Sequence, residues 1–423
     1  MKTFEPKIFT CFKGYTKKSL LADVVSGIIV AIIALPLSIA LAIASGVSPE
    51  QGLYTAIFAG FVIALFGGSR VNISGPTAAF ATIVAGIVAT KGLNGLIVAT
   101  LLAGVILILM GVLRLGNLIK FIPKTITVGF TAGIAITIVV GQIKDFLGLS
   151  FPTGVENIET VDKIANVISN ISTINWLALL VGALSVAIMI VWARFFKKVP
   201  ASLIVVLLGS LVVALTGMPV ITIGDAFEIS SSLPKFAFPE FSGELILSVL
   251  PDAFTIAILA GIESLLSCVV SDGMIEDTHN PNTELIAQGL GNICSGLFGG
   301  IPATGAIART AANVKNGGRT PISGMVHAVV LFVVLVVLMP YASLIPMPVI
   351  ASILFIVAYN MSEWRHFVEI IKTKKVYDII VLVLTFVLTV VFNLVIAIVV
   401  GLVLHYAFIV YEKIKAKKSK TQE

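Results

Sequence analysis

Two short segments carry residues able to hold an anion without a buried lysine: Asn72-Ile73-Ser74-Gly75-Pro76-Thr77-Ala78-Ala79 and Ile301-Pro302-Ala303-Thr304-Gly305-Ala306-Ile307-Ala308-Arg309. Each sets Gly, Pro and Thr before an Ala-rich stretch. A proline in the first turn gives up an amide that has no intrahelical partner, and glycine lets a ligand approach the backbone. The remaining free N–H groups, with the helix dipole's charge of about +0.5, attract anions. Two such starts meeting halfway through a bilayer make a cradle. One side is the backbone around Gly75, Pro76, Thr77 and Ala78; the other is that around Thr304, Gly305 and Ala306. Arg309 follows Gly305 by one helical turn, so its charge stands just behind the cradle. Leu35-Pro36-Leu37-Ser38 interrupts another helix ladder and frees backbone groups, beside Ser38, to line the same cavity. The competing readings are proline kinks with close Gly/Ala packing, and for Arg309 a structural ion pair or snorkelling to the inner surface.

A carboxylate stands among apolar residues in Gly261-Ile262-Glu263-Ser264-Leu265-Leu266-Ser267. Burying an acid in a membrane costs about 2.5–3.5 kcal/mol even on insertion scales, so one kept there points to function. Ser267 lies one turn on. Glu263 and Ser267, with Thr304, offer oxygen ligands for Na+, and Glu263 alone offers a site for H+. A structural pair with Arg309 is the alternative. His327 and His405 are lone histidines on apolar helices and read as packing residues.

The elements that position these groups follow from composition. Of 423 residues, 58% are hydrophobic and only 12% charged, with a mean hydropathy of +1.08. Soluble domains carry about 25% charged residues, so lipid is the solvent here. Continuous apolar stretches of roughly 20 residues make helices, whereas a barrel needs alternating polarity. The prediction is an all-α integral membrane protein. It places fourteen spans near 24 to 44, 49 to 67, 74 to 90, 95 to 113, 125 to 143, 174 to 193, 199 to 217, 248 to 270, 285 to 299, 304 to 314, 321 to 339, 346 to 360, 376 to 391 and 394 to 412. The two Gly/Pro/Thr segments fall in the short third and tenth spans, the third of each half in a seven-plus-seven arrangement. Interrupted helices in corresponding places of two halves mark transporter sites.

An even count puts both termini on one side. The basic runs Lys2 to Lys18 and Lys413 to Lys420 place that side in the cytoplasm of the cell (inner) membrane. Of the 28 Lys and Arg, all but Lys91, Lys144, Lys163, Lys235 and Arg309 then face inward, in clusters such as Arg194, Lys197, Lys198 and Arg365, Lys372, Lys374, Lys375. Outer loops collect Asp145, Glu156, Glu159, Asp162, Asp225, Glu228, Glu240 and Glu244.

Dispersed basic residues read as lipid contacts, so the pI near 9.1 does not imply nucleic acid. Gly60 to Gly68 lacks the Lys-Ser/Thr of a phosphate loop, Cys11, Cys268 and Cys294 have no metal-ligand spacing, and no nucleophile–base pair stands out. No enzyme and no cofactor beyond a coupling H+ or Na+ is expected. Val376 to Glu412 reads as a hairpin turning at Phe392-Asn393.

The chain resembles the SulP family of anion permeases, relatives of prestin, over nearly its whole length. The matching residues are Gly67-Gly68-Ser69-Arg70 through Gly75-Pro76-Thr77-Ala78-Ala79-Phe80, Glu263-Ser264-Leu265-Leu266, Asn282-Thr283-Glu284-Leu285 through Gln288-Gly289, and Pro302-Ala303-Thr304-Gly305-Ala306-Ile307-Ala308-Arg309-Thr310. Gln142 to Leu149 and Asn360-Met361-Ser362-Glu363 look like the bacterial dicarboxylate-uptake (DauA-type) branch. The resemblance implies a seven-plus-seven inverted repeat and a homodimer. It implies a core of spans 1–4 and 8–11 moving against a gate of spans 5–7 and 12–14. It also implies substrate between the third and tenth half-helices and the coupling cation at Glu263. Residues 1–23 and 413–423 are then cytoplasmic tails around a 24–412 transporter domain, without the STAS domain the family usually carries. The expected function is cation-coupled symport of a dicarboxylate, bicarbonate or sulfate. An uncoupled channel or exchanger, or a voltage-responsive protein without net transport, are the alternatives.

Overall fold

The computed structural model describes residues 4–421 apart from 13, 118–122, 153–158, 197–198, 230–233, 235, 374 and 393. Lys2, Glu156, Lys197, Lys198, Lys235, Lys374 and Asn393, named above, lie outside the described residues.

Helix α1 (Lys17–Ala44) begins before the apolar stretch because the Thr16 side chain accepts from the Ser19 N–H at 3.2 Å and caps the extra turns. It continues through Pro36 without a break. α2 (Pro49–Tyr54), a π-helical turn (Thr55–Ala59) and α3 (Gly60–Phe66) follow as one interrupted rod. Strand β1 (Ser74–Gly75) and a tight turn (Ala78–Phe80) lead into α4 (Ala81–Val112). Gly92, at φ 68°, bends α4 between the two apolar stretches assigned to it. Next come α5 (Lys124–Leu147), α6 (Thr160–Ser169), α7 (Trp176–Phe195), α8 (Ala201–Thr216) and the single turn α9 (Ile223–Ala226). The second half holds α10 (Gly243–Ile275), α11 (Pro281–Leu297), strand β2 (Thr304–Gly305), α12 (Ile307–Lys315), α13 (Ile322–Leu338), α14 (Met347–Met361), α15 (Trp364–Lys372), α16 (Val376–Val391) and α17 (Leu394–Thr421).

Each apolar stretch read from the sequence is helical over most of its length. Among the described residues, eight helical segments are long and apolar enough to cross a membrane, and α8, α16 and Ile396–Glu412 of α17 are shorter apolar helices. Side chains such as Leu184, Leu211, Val337 and Val403 are exposed on them, which only an apolar solvent tolerates in such number.

Packing sorts the helices into two sets. α4 lies on α10 and α11, and α1 on α13; α5 lies between α14 and α16, and α7 on α14 and α8. Small residues set the close approaches of the first set. A Cβ at Gly104 or Gly111 would meet the backbone of α11 at 2.7 Å. Between the sets, α1 touches α8 and α14.

Helix α11 is the most polar of the long core helices. Asn280 caps it by accepting from the N–H groups of Asn282 and Thr283, and Pro281 opens its first turn. Glu284, Gln288, Asn292 and Ser295 recur at one face of the helix and are all fully buried. An apolar solvent outside and a polar stripe inside orient this helix, and the stripe faces the two strands.

Candidate functional site

An interrupted helix in hydrocarbon leaves backbone groups without partners, and the two interruptions here satisfy each other. β1 pairs antiparallel with β2, with Ser74 opposite Gly305 and Gly75 opposite Thr304. The Ala306 N–H donates to the Ile73 carbonyl at 2.8 Å. Side chains fix both approaches. Asn292 clips Ala303, accepting from its N–H and donating to its carbonyl, both at 2.9 Å. Thr55, at the π-helical turn, accepts from the Ile301 N–H at 2.7 Å. Thr310 accepts from the Ile73 N–H at 2.9 Å, and Asn313 donates to the Val71 carbonyl at 2.9 Å.

From this crossing the two half-helices depart. The residue before the first is Thr77 and the residue before the second is Ala306, and neither side chain caps its helix. Ala306 has no side-chain acceptor to offer, and Thr77 instead donates its hydroxyl to Glu263 Oε2 at 2.9 Å. Ile307 and Ala308, at the start of α12, are exposed, and Glu263 is half-buried.

Arg309 stands behind the crossing and is only 2% exposed. Its Nη2 donates to the Pro76 carbonyl, while Nε and Nη1 have no hydrogen-bond partner among the described residues. A Cβ at Gly75 would sit 2.7 Å from Nη1, and one at Gly305 would sit 2.6 Å from Asn72 Nδ2. A side chain at either position would have to push the Arg309 guanidinium or the Asn72 amide out of place. Among the described residues, Glu263 and Arg309 form no ion pair with each other.

The crossing thus brings together Gly75, Pro76, Thr77, Ala78, Thr304, Gly305, Ala306, Arg309 and Glu263. Ser267 faces elsewhere, donating to Asn72 Oδ1 at 2.7 Å and touching the Thr310 hydroxyl at 3.1 Å. Thr304 donates to the Ala260 carbonyl at 2.8 Å, one turn before Glu263. The Ser38 hydroxyl is buried without a hydrogen-bond partner among the described residues, and the Ser38 carbonyl oxygen lies 2.0 Å from where a Cβ at Gly52 would be.

Sequence reasoning gave no role to the residues that hold the crossing. Glu284, fully buried, accepts five hydrogen bonds: from the N–H groups of Gly68 and Ser69, and from Asn72 Nδ2, Ser264 Oγ and Gln288 Nε2. All five partners are donors, which suits an acceptor-only carboxylate. Glu263 and Glu284 therefore differ: Glu284 is saturated by protein, and Glu263 has one hydrogen-bond partner among the described residues and an open side. The signal that could have found the network is the four-polar stripe of α11 at helical spacing.

Outside the bundle, Asp277 binds Lys7 and Arg70 at 3.2 and 3.1 Å and ties the N-terminal segment to the α10–α11 loop. Burial alone would raise its pKa. Hydrogen bonding at Thr278 and the two cations outweigh burial and hold it below the usual carboxylate value. Cys11 and Cys268 are buried free thiols, and Cys294 is partly buried.

Comparison with known proteins gives a consistent picture. The family model described as "Sulfate permease family" matches residues 20–385. A putative sulfate transporter of Bacillus subtilis, YvdB, is 44% identical over 415 residues, covering 97% of this chain and 78% of that protein. The bicarbonate transporter BicA of a Picosynechococcus species is 35% identical over 360 residues, covering 82% of this chain and 62% of that protein. The solved transmembrane domain of a cyanobacterial BicA superposes with a TM-score of 0.80 at 31% identity, covering 92% of this chain and 98% of that domain. The murine Solute Carrier 26 family member A9 anion transporter, at 18% identity, shares the fold with a TM-score of 0.85.

Proposed function

Because the chain belongs to the sulfate permease family of multi-span anion transporters, we propose that it is a cation-coupled symporter of a small oxyanion, binding it where the two half-helices start. The observation that carries this reading is the β1–β2 pairing, which brings two uncapped helix starts to one point with the Arg309 charge behind them. The N–H groups at Thr77 and Ala78, and at Ile307 and Ala308, are the anion donors; Arg309 holds the local potential positive through its unpartnered Nε and Nη1. No cofactor takes part.

Glu263 is the coupling group. Its carboxylate bonds to Thr77, the residue that opens the first half-helix, so a cation on Glu263 and an anion at the helix start share one hydroxyl between them. Binding of either favours the other by simple charge neutralisation. A proton needs only Glu263. A sodium ion needs further oxygens, which Thr304 and the Ala260 carbonyl it bonds to, one turn before Glu263, or Ser267, which donates to Asn72, would supply.

The packing supports a seven-plus-seven inverted repeat. α1 runs alongside α13, with Gly27 against Ser323 and Val326, and Leu35 and Val334 lining one cavity. Exchanging the halves turns that pair into α10 alongside the second part of α4, where Gly95 lies near Val249 and Gly261 near Leu107. The core is then α1–α4 with α10–α13, and the gate is α5–α8 with α14–α17. We assign transport to a sliding of core against gate, in a homodimer of the inner membrane with both termini cytoplasmic.

A proteoliposome counterflow screen tests the substrate reading. Labelled sulfate, bicarbonate and a C4 dicarboxylate are each competed by the others, with pH and Na+ gradients imposed separately. Saturable uptake of at least one, accelerated by one inward cation gradient, is expected. Flux that does not saturate and carries unitary currents in planar bilayers would make the protein a channel.

A further inference from the structure

Beyond the crossing, a cavity of about 320 Å3 opens between the two helix sets. Its inner end is Ala79, in the first turn after Thr77, and it runs past Thr82 and Thr137 to Lys91, Asp252 and Glu159. Thr82 of α4 and Thr137 of α5 face each other at 3.5 Å and form its neck. Lys91 is the only lysine or arginine lining it among the described residues. Lys91 closes the first half-helix just before the Gly92 bend, so one half-helix joins the anion cradle at its start to this lysine at its end.

The lysine is held, not free. Its Nζ donates to the Ser248 carbonyl at 2.6 Å and to Asp252 Oδ2. The side chains of Lys91 and Asp252 are 24% and 29% exposed, so both remain reachable from the cavity. We infer that Lys91 is a vestibular anion subsite, occupied at rest by the Asp252 carboxylate as an internal surrogate and handed to an incoming oxyanion on its way to the crossing. This rests on the anion transport proposed above. An oxyanion displaces Asp252 from Nζ, keeps the Ser248 contact in place, and goes on to the crossing when Thr82 and Thr137, bonded to each other at rest, part. Glu159, also lining the cavity, repels any anion there, so an anion gains by binding at Lys91. As a point charge, Lys91 selects for charge and leaves shape to the crossing.

A purely structural ion pair would respond alike to loss of either partner. The subsite responds with opposite signs. Uptake of labelled sulfate and of labelled bicarbonate is measured against external concentration in right-side-out vesicles. Lys91→Gln is expected to raise KM about two- to fivefold, and Asp252→Asn to lower it by a similar factor, the size expected for a partly exposed ion pair. Lys91→Arg keeps the charge and restores KM to near the wild-type value, which excludes misfolding as the cause. In the double variant Asp252→Asn loses its effect, because it acts only through Lys91. KM shifting in the same direction in both single variants, or unchanged in both, overturns the subsite. If the unaltered protein shows no saturable uptake of either anion, the transport reading itself has failed.

Discussion

Glu263→Gln is expected to leave a folded protein that exchanges anion but no longer concentrates it. Gln preserves the shape of the side chain and an oxygen for the Thr77 hydroxyl, which donates to Glu263 at 2.9 Å. It removes the charge proposed to bind H+ or Na+. Without a second ligand there is no coupling free energy between gradient and substrate. In proteoliposomes with an imposed cation gradient, the steady-state accumulation ratio should fall to about one, the limit for uncoupled binding. Counterflow under equal conditions on both sides should persist. Concentrative uptake retained by Glu263→Gln would remove Glu263 from the coupling role.

The same substitution at the buried carboxylate of α11 should do something different. Glu284→Gln puts an amide among donors already pointing inward from Gly68, Ser69, Asn72, Ser264 and Gln288. Wherever the new NH2 points, buried donors lose their acceptor, and breaking a buried charged network costs on the order of 3–5 kcal/mol. That is a large part of a typical folding stability of roughly 5–15 kcal/mol. Thermal unfolding followed by size-exclusion chromatography should show Glu284→Gln aggregating or strongly destabilised, whereas Glu263→Gln elutes and melts near the unaltered protein. Equal stability of the two variants would refute the division of labour between the carboxylates.

Much of this arrangement is legible from residue types alone. Gly75-Pro76-Thr77 and Thr304-Gly305 point to interruptions because Gly and Pro together weaken the helix ladder, and Glu263 stands out as an acid among apolar neighbours. The strand pairing is not legible. Two residues on each side carry no alternating pattern, and their partner lies in the other half of the chain. Helical spacing placed Ser267 below Glu263, but α10 presents a different line inward: Ser264, Ser267 and Ser271 are fully buried. Glu263, roughly 100° around from Ser264 at about 3.6 residues per turn, faces the open side instead. The network around Glu284 escaped because hydropathy averages over α11 and treats it as a weak span, while its polar residues share one face. Thr55 gained its role through the π-helical turn, which no propensity of Thr55–Ala59 foretells.

The most direct measurement asks whether bound anion covers the start of the second half-helix. In a background with Cys11, Cys268 and Cys294 changed to Ser, Ala308→Cys places a thiol at an exposed position of α12. Its alkylation rate is followed with and without the transported anion. Simple mass action predicts that anion at ten times its dissociation constant slows the reaction about tenfold, with half-protection at the KM for uptake. An alkylation rate indifferent to saturating anion, in vesicles that still take it up saturably, would place the binding site somewhere other than the meeting point of the half-helices.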